Sequence, residues 1–173
     1  AHEETGAEVV VVASNHDEAF DRWLREGDVR LDPANAKYFH RMRAIQLEAR
    51  ESEGAWVPAF ELAYRAKGKG AGVRFHARDA PLRIADIECS QHGDKGLNGA
   101  RASLTSFAKL GERVIVGHSH TPGIRDGAYQ VGVVGSYDQG YNAGPSSWRH
   151  ASALIYANGK RTLIFAVDGR WRA

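Results

Sequence analysis

The chain is short of everything that would mark it as secreted, membrane-bound or disulfide-built. Its 173 residues contain one cysteine, Cys89, so no internal disulfide can form. Cys89 lies in an apolar strand-like run, where a buried and unreactive thiol is expected rather than a ligand or nucleophile. A lone cysteine suits a reducing compartment, and a cytoplasmic location is the expectation. No apolar run approaches the roughly 20 residues of a membrane span, so no membrane partner is expected. Ala1-His2-Glu3-Glu4 is polar and acidic and does not read as a secretion signal. A formal net charge of +2 does not by itself announce nucleic acid. No repeats or low-complexity tracts are present.

What is there is ordinary in bulk and unusual in pattern. An apolar fraction of 43% and a charged fraction of 25% are those of a globular domain with a hydrophobic core. Glu8 to Ala13 is almost all valine, the composition of a strand covered on both faces. Phe20, Trp23 and Leu24 give Asp17 to Glu26 a helical spacing. Asp32-Pro33 opens a second helix through Tyr38, Phe39, Met42, Ile45 and Leu47, with Lys37, Arg41, Arg43 and Arg50 on a basic solvated face. Trp56 to Tyr64 reads as a short helix or strand, and Lys67 to Gly72 as a flexible turn without the context of a phosphate loop.

The period then shifts. Ile84 to Cys89 and Arg113 to Val116 read as strands, and Ala100 to Leu110 as a helix stopped by Gly111. Tyr129 to Ser136, Ala151 to Tyr156 and Thr162 to Val167 read as strands of an antiparallel meander, the last two joined at Asn158-Gly159 because both residues tolerate positive φ. The expected class is α/β, with one domain over 1–173 and a helical insertion at about 30–70.

Three histidine phrases follow apolar runs: Ser14-Asn15-His16-Asp17, Gln91-His92-Gly93-Asp94 and Gly117-His118-Ser119-His120-Thr121-Pro122. Side chains on loops at strand ends are where enzymes gather ligands and catalytic groups. Imidazole suits Mn, Fe, Zn and Ni, and the Asn15 amide offers a neutral oxygen to a hard cation. Two histidines at i and i+2 do not share a face of a helix or straight strand, but in a loop they can reach two adjacent ions. Asp17 and Asp94 are candidates to orient histidines, and His16 is a candidate proton donor.

These phrases, in this order, resemble those of the calcineurin-like metallophosphoesterase superfamily, with Ser14 where its Gly-Asn-His-Asp/Glu motif has glycine. The closing segment, Gly140 to Trp148, resembles phage-encoded members. The resemblance implies a β-sandwich flanked by helices, of which this chain holds the later part, ending in the antiparallel meander. It implies two divalent ions, with Mn the first expectation and Zn, Fe or Ni as alternatives. Asn15, His92 and His118 would bind one ion and His120 the other. His16, with Asp17 beside it, would assist the leaving group. A bridging hydroxide between ions roughly 3.5–4 Å apart would attack the phosphorus in line. The substrate would be a phosphoester; the phage-like ending, the basic helix and the loop aromatics favour phosphodiesters, including nucleic acid, over the substrates of a protein or small-molecule phosphatase.

The superfamily takes further ligands from Asp-X-His and Gly-Asp-X-X-Asp motifs upstream of the Asn-His phrase. This chain contains no Asp-X-His, and Gly27 to Asp32 matches the second neither in spacing nor in place. Four neutral ligands leave a pair of dications poorly neutralised. The expectation is therefore an N-terminally incomplete site, with the other half supplied in cis or in trans; a degenerate, non-catalytic relative is the alternative. Lys95, Asn98 and Arg101, on the glycine-rich loop after His92, are candidates to hold a substrate phosphate. Ser146 to His150 could line a groove or form a simple turn. Tyr137 and Tyr141 could stack on a base or pack their own loop. His2, His40 and His76 lack ligand-like company and read as surface residues.

Overall fold

The computed structural model describes residues 5–68 and 72–172. Ala1 to Glu4, and the centre of the Lys67 to Gly72 turn, lie outside the described residues. The fold is mixed α/β, with three open sheets and four α-helices among the described residues; none of the sheets closes into a barrel. None of these helices is long and apolar enough to cross a membrane. The chain divides into two compact units, Ala1–His76 and Ala77–Ala173.

In the first unit, β1 (Val9–Val12) pairs in parallel with β2 (Val73–His76). Its four valines are half-buried, not covered on both faces as their composition suggests. The helix after β1, α1 (Asn15–Glu26), starts two residues earlier than its apolar spacing predicts. The reason is a capping box: Ser14 Oγ accepts from the backbone of Asp17, whose carboxylate accepts from Ser14 N. A 3₁₀ turn over Pro33–Asn35 leads into α2 (Ala36–Glu53), which stops at Gly54 in the left-handed conformation. The segment from Trp56 to Tyr64 resolves into a short helix, α3 (Ala59–Arg65).

The three helices enclose Leu24, Met42, Ala49, Val57, Ala59 and Leu62, with Phe20, Trp23, Phe39 and Ile45 packed around them. Inside this core the fully buried Gln46 donates to Asp21 Oδ1 at 2.8 Å, and the same oxygen accepts from Ala59 N at 3.1 Å. One carboxylate thus ties α1 to α2 and to the first NH of α3, satisfying donors that burial would otherwise leave unpaired.

The second unit holds a five-stranded mixed sheet ordered β3 (Arg83–Ile84), β4 (Ile87–Glu88), β5 (Val114–Val116), β7 (Ala128–Gln130), β6 (Gly123–Arg125). β4, β5 and β7 run parallel, while β3 and β6 are antiparallel edges. The run Ile84 to Cys89 is not one strand, because Ala85 and Asp86 take φ of 47° and 63° and turn the chain into a hairpin. The helix expected over Ala100 to Leu110 shrinks to α4 (Leu104–Ala108). Residues before it close a loop instead, with Gly96 N on Ala100 O at 2.7 Å, and a Ser103–Ser106 capping box fixes the later start. Period-2 burial turns Val114, Val116 and Ala128 towards Phe107 of α4.

The expected meander is present as β8 (Ala151–Ile155), β9 (Arg161–Val167) and β10 (Arg170–Arg172). At its first turn Gly159 alone takes positive φ, and Asn158 caps Lys160 N instead. The strand expected over Tyr129 to Ser136 ends at Gln130. Beyond it Gly132 and Val133 hydrogen bond to Ala151 and Arg149, and a Cβ on Gly132 would sit 1.9 Å from Arg149 O. Only glycine allows that approach, which links the five-stranded sheet to the meander.

Candidate functional site

The histidines of the second unit are placed by two loops at the ends of parallel strands. β5 runs into Gly117, whose NH donates to His92 O at 3.0 Å, so the loops after β4 and β5 lie backbone to backbone. Gly93, at φ +108°, makes the contact possible, since a Cβ there would stand 2.9 Å from Gly117 O. The result is that His92 Nε2 and His118 Nδ1 lie 3.2 Å apart, with the rings edge to face at 5.1 Å and 77°.

The turn carrying His118 and His120 is strained. Both residues take left-handed φ, 63° and 61°, a region uncommon for residues with a side chain, although histidine, like Asn and Asp, enters it more often than most. Ser119 N donates to Gly117 O at 2.8 Å across His118, which makes His118 the centre of the rare positive-φ form of the γ-turn. Such strain persists only where the surroundings over-determine it, and it concentrates at functional sites. Here the determinants are visible. The buried Gln130 of β7 donates to Thr121 O at 2.5 Å, Thr121 Oγ1 meets Ser147 Oγ at 2.7 Å, and Arg149 N donates to His120 O at 3.3 Å. Trp148 packs edge-on against the His120 ring at 4.3 Å and 82°.

Two nitrogens bound to one ion at about 2.1 Å lie about 3.0 to 3.4 Å apart for octahedral to tetrahedral angles. The 3.2 Å between His92 and His118 fits two ligands of one ion. No group of three His, Cys, Asp or Glu side chains is disposed to hold a metal among the described residues. The donor set present is therefore a neutral imidazole pair.

The remaining candidates fall elsewhere. Asn15 and the exposed His16 occupy the first turn of α1, in the first unit. Asp17 does not orient a histidine through the bonds it makes: its Oδ2 accepts from Ser14 N at 2.7 Å and from Ser14 Oγ at 2.8 Å. Asp94 is likewise engaged, its Oδ2 accepting from the buried guanidinium of Arg78 at 3.1 Å. Lys95 and Asn98 line a cavity of about 480 Å³ with Glu88, Gln91, Phe107 and Val114; Arg101 and the histidines are not among its lining residues. Arg101 instead bridges Lys95 across the closed loop.

Glu88 is held by the NH groups of Leu82 at 3.1 Å and Ser90 at 2.9 Å. Burial pushes its carboxyl up, but the hydrogen bonds of Ser90 and Leu82 and the charge of Arg83 outweigh it and hold the group below its ordinary range. Cys89 is half-buried, and burial, with the Glu88 charge, pushes its thiol up, away from thiolate chemistry.

Of the residues that build the histidine turn, sequence reasoning passed over Gly93 and Gln130, and it placed Ser147 and Trp148 in the Ser146 to His150 loop, as groove lining or a simple turn, without tying them to His120 and Thr121. Gly93 alone carried a local signal, a glycine directly after a candidate ligand.

Over 173 aligned positions the chain is 41% identical to Protein A1 of Escherichia phage T5. The alignment takes in 96% of this chain and 30% of that protein, so the chain spans about 30% of the length of the curated relative it matches. No protein-family model matches the chain, and no solved structure matches it.

Proposed function

We propose that the chain carries part of the site of a calcineurin-like metallophosphoesterase, with the corresponding fold, and that the complete protein hydrolyses phosphoesters, phosphodiesters of nucleic acid in preference to phosphomonoesters. The observation that carries this reading is the strained turn that holds His118 Nδ1 3.2 Å from His92 Nε2. A hydrogen bond between an exposed imidazole and a half-buried one gains too little to maintain two left-handed histidines and a glycine-only backbone contact. Ligation of a cation supplies a reason for both.

In this reading His92 and His118 bind one divalent ion, Mn²⁺ first among Zn²⁺, Fe²⁺ and Ni²⁺, through Nε2 and Nδ1. His120 serves a second ion, its ring held by Trp148. Asn15 and the exposed His16, on the first unit, would by themselves offer an amide oxygen to a cation and a proton to a leaving group. Lys95 and Asn98 hold the substrate phosphate. Divalent metal, when bound, supplies Lewis-acid polarisation of the phosphoryl group and acidifies a water. The carboxylates this set lacks come from a further segment, in cis or in trans.

A second reading, a non-catalytic binding module, is favoured by one observation: no third side chain of ligand type joins the His92–His118 pair among the described residues. The two separate experimentally. The chain is equilibrated with Mn²⁺, freed of excess metal and assayed for bound metal and for cleavage of bis(p-nitrophenyl) phosphate, beside His92→Ala and His118→Ala. Metal bound by the wild type and lost in both variants, with hydrolysis that falls by at least about a hundredfold, supports the enzyme. Bound metal without hydrolysis, in this chain and in a longer protein that contains it, supports the module. No bound metal and no hydrolysis, in this chain and in the longer protein, sinks the enzyme and leaves the module, whose incomplete ligand set predicts that result.

A further inference from the structure

We propose that Tyr141 is a stacking platform for a base of single-stranded nucleic acid, presented beside the histidine turn by the loop between β7 and β8. The inference takes its substrate class from the phosphodiesterase reading, but the binding it describes needs no hydrolysis.

The loop is not a free tether. Its far end is fixed to the histidine turn by Thr121 Oγ1 to Ser147 Oγ, by Arg149 N to His120 O and by the edge of Trp148 on the His120 ring. Its near end is fixed by Gly132, whose backbone lies against Arg149. Within it, hydrogen bonds from Gln139 N to Asn142 Oδ1 and from Asn142 Nδ2 to Tyr137 O hold the turn that presents Tyr141.

The two tyrosines of the loop, equivalent in the sequence, are not equivalent in the structure. Tyr137 stacks on His150 at 4.3 Å and 18°, and its hydroxyl accepts from His150 N at 3.1 Å. It is consumed by the fold. Tyr141 meets the Trp148 ring at 6.2 Å and 64° and is 67% exposed. The order Tyr141, Trp148, His120 is a row of rings leading from solvent to a proposed ligand. An exposed aromatic held in place loses little freedom when a planar ring settles on it, so its stacking energy is realised as affinity.

The unit that carries the loop has a cationic excess, and the loop itself holds one cation, Arg149, and one acid, Asp138. Residues 77–173 carry 12 Lys and Arg against 8 Asp and Glu. Among the described residues, the hydrogen bonds of the Arg149 guanidinium go to neutral carbonyls, Ser146 O at 3.4 Å and Trp148 O at 2.6 Å, which leaves its charge for a phosphate. The acid of the loop, Asp138, is exposed and accepts from Gly140 N at 2.9 Å. A single strand is favoured over a duplex because only unpaired bases offer their faces to a side chain.

The test is binding of a fluorescent oligothymidylate of about 12 nucleotides, within the span of common single-strand sites, measured by anisotropy in EDTA so that no cleavage intervenes. Wild type is compared with Tyr141→Ala, Tyr141→Phe and Arg149→Gln, with thermal melts to establish folding. Tyr141→Ala should weaken binding about 5- to 100-fold, the range of one lost base stack, while Tyr141→Phe stays within about twofold of wild type. Arg149→Gln should weaken binding and flatten its salt dependence. Equal binding by wild type and Tyr141→Ala overturns the proposal, as does a wild type that binds no oligonucleotide, or a Phe variant as weak as Ala. Tyr141-dependent binding, with no metal-dependent hydrolysis either in this chain or in a longer protein that contains it, would remove the enzymatic reading and leave this one; hydrolysis with Tyr141-independent binding would do the reverse.

Discussion

Gly93 and Gly117 lie so close that a Cβ on Gly93 would stand 2.9 Å from the Gly117 carbonyl oxygen. Their neighbours in sequence, His92 and His118, are the two imidazoles whose nitrogens lie 3.2 Å apart. The side-chain pairing is therefore set by the backbone, and the backbone contact depends on one missing methyl group. Gly93→Ala meets the carbonyl and also places a side chain at φ +108°. A loss of about 1–3 kcal/mol in urea unfolding is expected. Gly99→Ala, also at positive φ but with open space around the new Cβ, is the control and should cost about 1 kcal/mol without affecting metal binding. Mn²⁺ titration of both variants decides the matter: if Gly93→Ala binds as wild type does, the contact is not what aligns the pair.

His118 gives a case in which stability and function should move in opposite directions. Its left-handed φ of 63° at the centre of a γ-turn is a conformation glycine adopts without penalty, and its side chain is exposed. His118→Gly should leave the metal-free protein as stable as wild type or up to about 1 kcal/mol more so, with greater unfolded-state entropy offsetting part of the relief. Mn²⁺ affinity should fall by at least about tenfold. Melts in EDTA, paired with metal titration, read both. A variant clearly less stable than wild type would mean the His118 ring is a packing element, not a strained ligand.

The sequence showed the existence of most elements and the order of the histidine phrases, but not the contacts that make a site of them. Apolar spacing located α1, α2 and β5 because each buries one periodic face, and β8 and β9 were found from their apolar runs on either side of Asn158-Gly159. It missed the hairpin at Ala85-Asp86 because alanine carries no signal for positive φ, and it over-extended α4 because the closed loop before it is fixed by a backbone bond from Gly96 to Ala100. The strain at His118 and His120 is likewise invisible in composition, since it comes from Gln130, Ser147 and Arg149 pulling on one turn. Asp17, three residues after a serine and at the start of a helix, was legible as a capping residue as readily as a functional one.

Glu88 makes the second unit sensitive to acid. Burial raises its pKa, but the NH groups of Ser90 and Leu82 and the charge of Arg83 bring it below the ordinary 4.5. A carboxyl whose folded pKa is depressed contributes stability that is fully present above the unfolded value and is lost as pH falls through the folded one. Wild type should therefore lose urea resistance as pH drops from about 5 towards 3. Glu88→Gln, which keeps an acceptor but not the charge, should be less stable at neutral pH and should lose less on acidification. Two parallel stability-versus-pH curves would show that the carboxylate is not among the groups responsible.

The pair Ser14 and Asp17 tests whether the acid beside His16 serves the helix or the chemistry. Oδ2 of Asp17 accepts from both the NH and the hydroxyl of Ser14, at 2.7 and 2.8 Å, and Asp17 N donates back to Ser14 Oγ at 3.3 Å. Ser14→Ala removes the bonds of the hydroxyl with Asp17 N and Oδ2, Asp17→Ala removes both bonds to Oδ2, and the hydroxyl–carboxylate bond is lost in either; each should cost about 1 kcal/mol of stability. Because both substitutions break the same interaction, the double variant should cost less than the sum of the two, by about 0.5 kcal/mol or more. If capping is the whole of its role, Asp17→Ala should lower metal-dependent hydrolysis no further than Ser14→Ala does at matched folded fraction. A much deeper loss in Asp17→Ala alone would return the carboxylate to the chemistry and leave the cap as the means by which it is held.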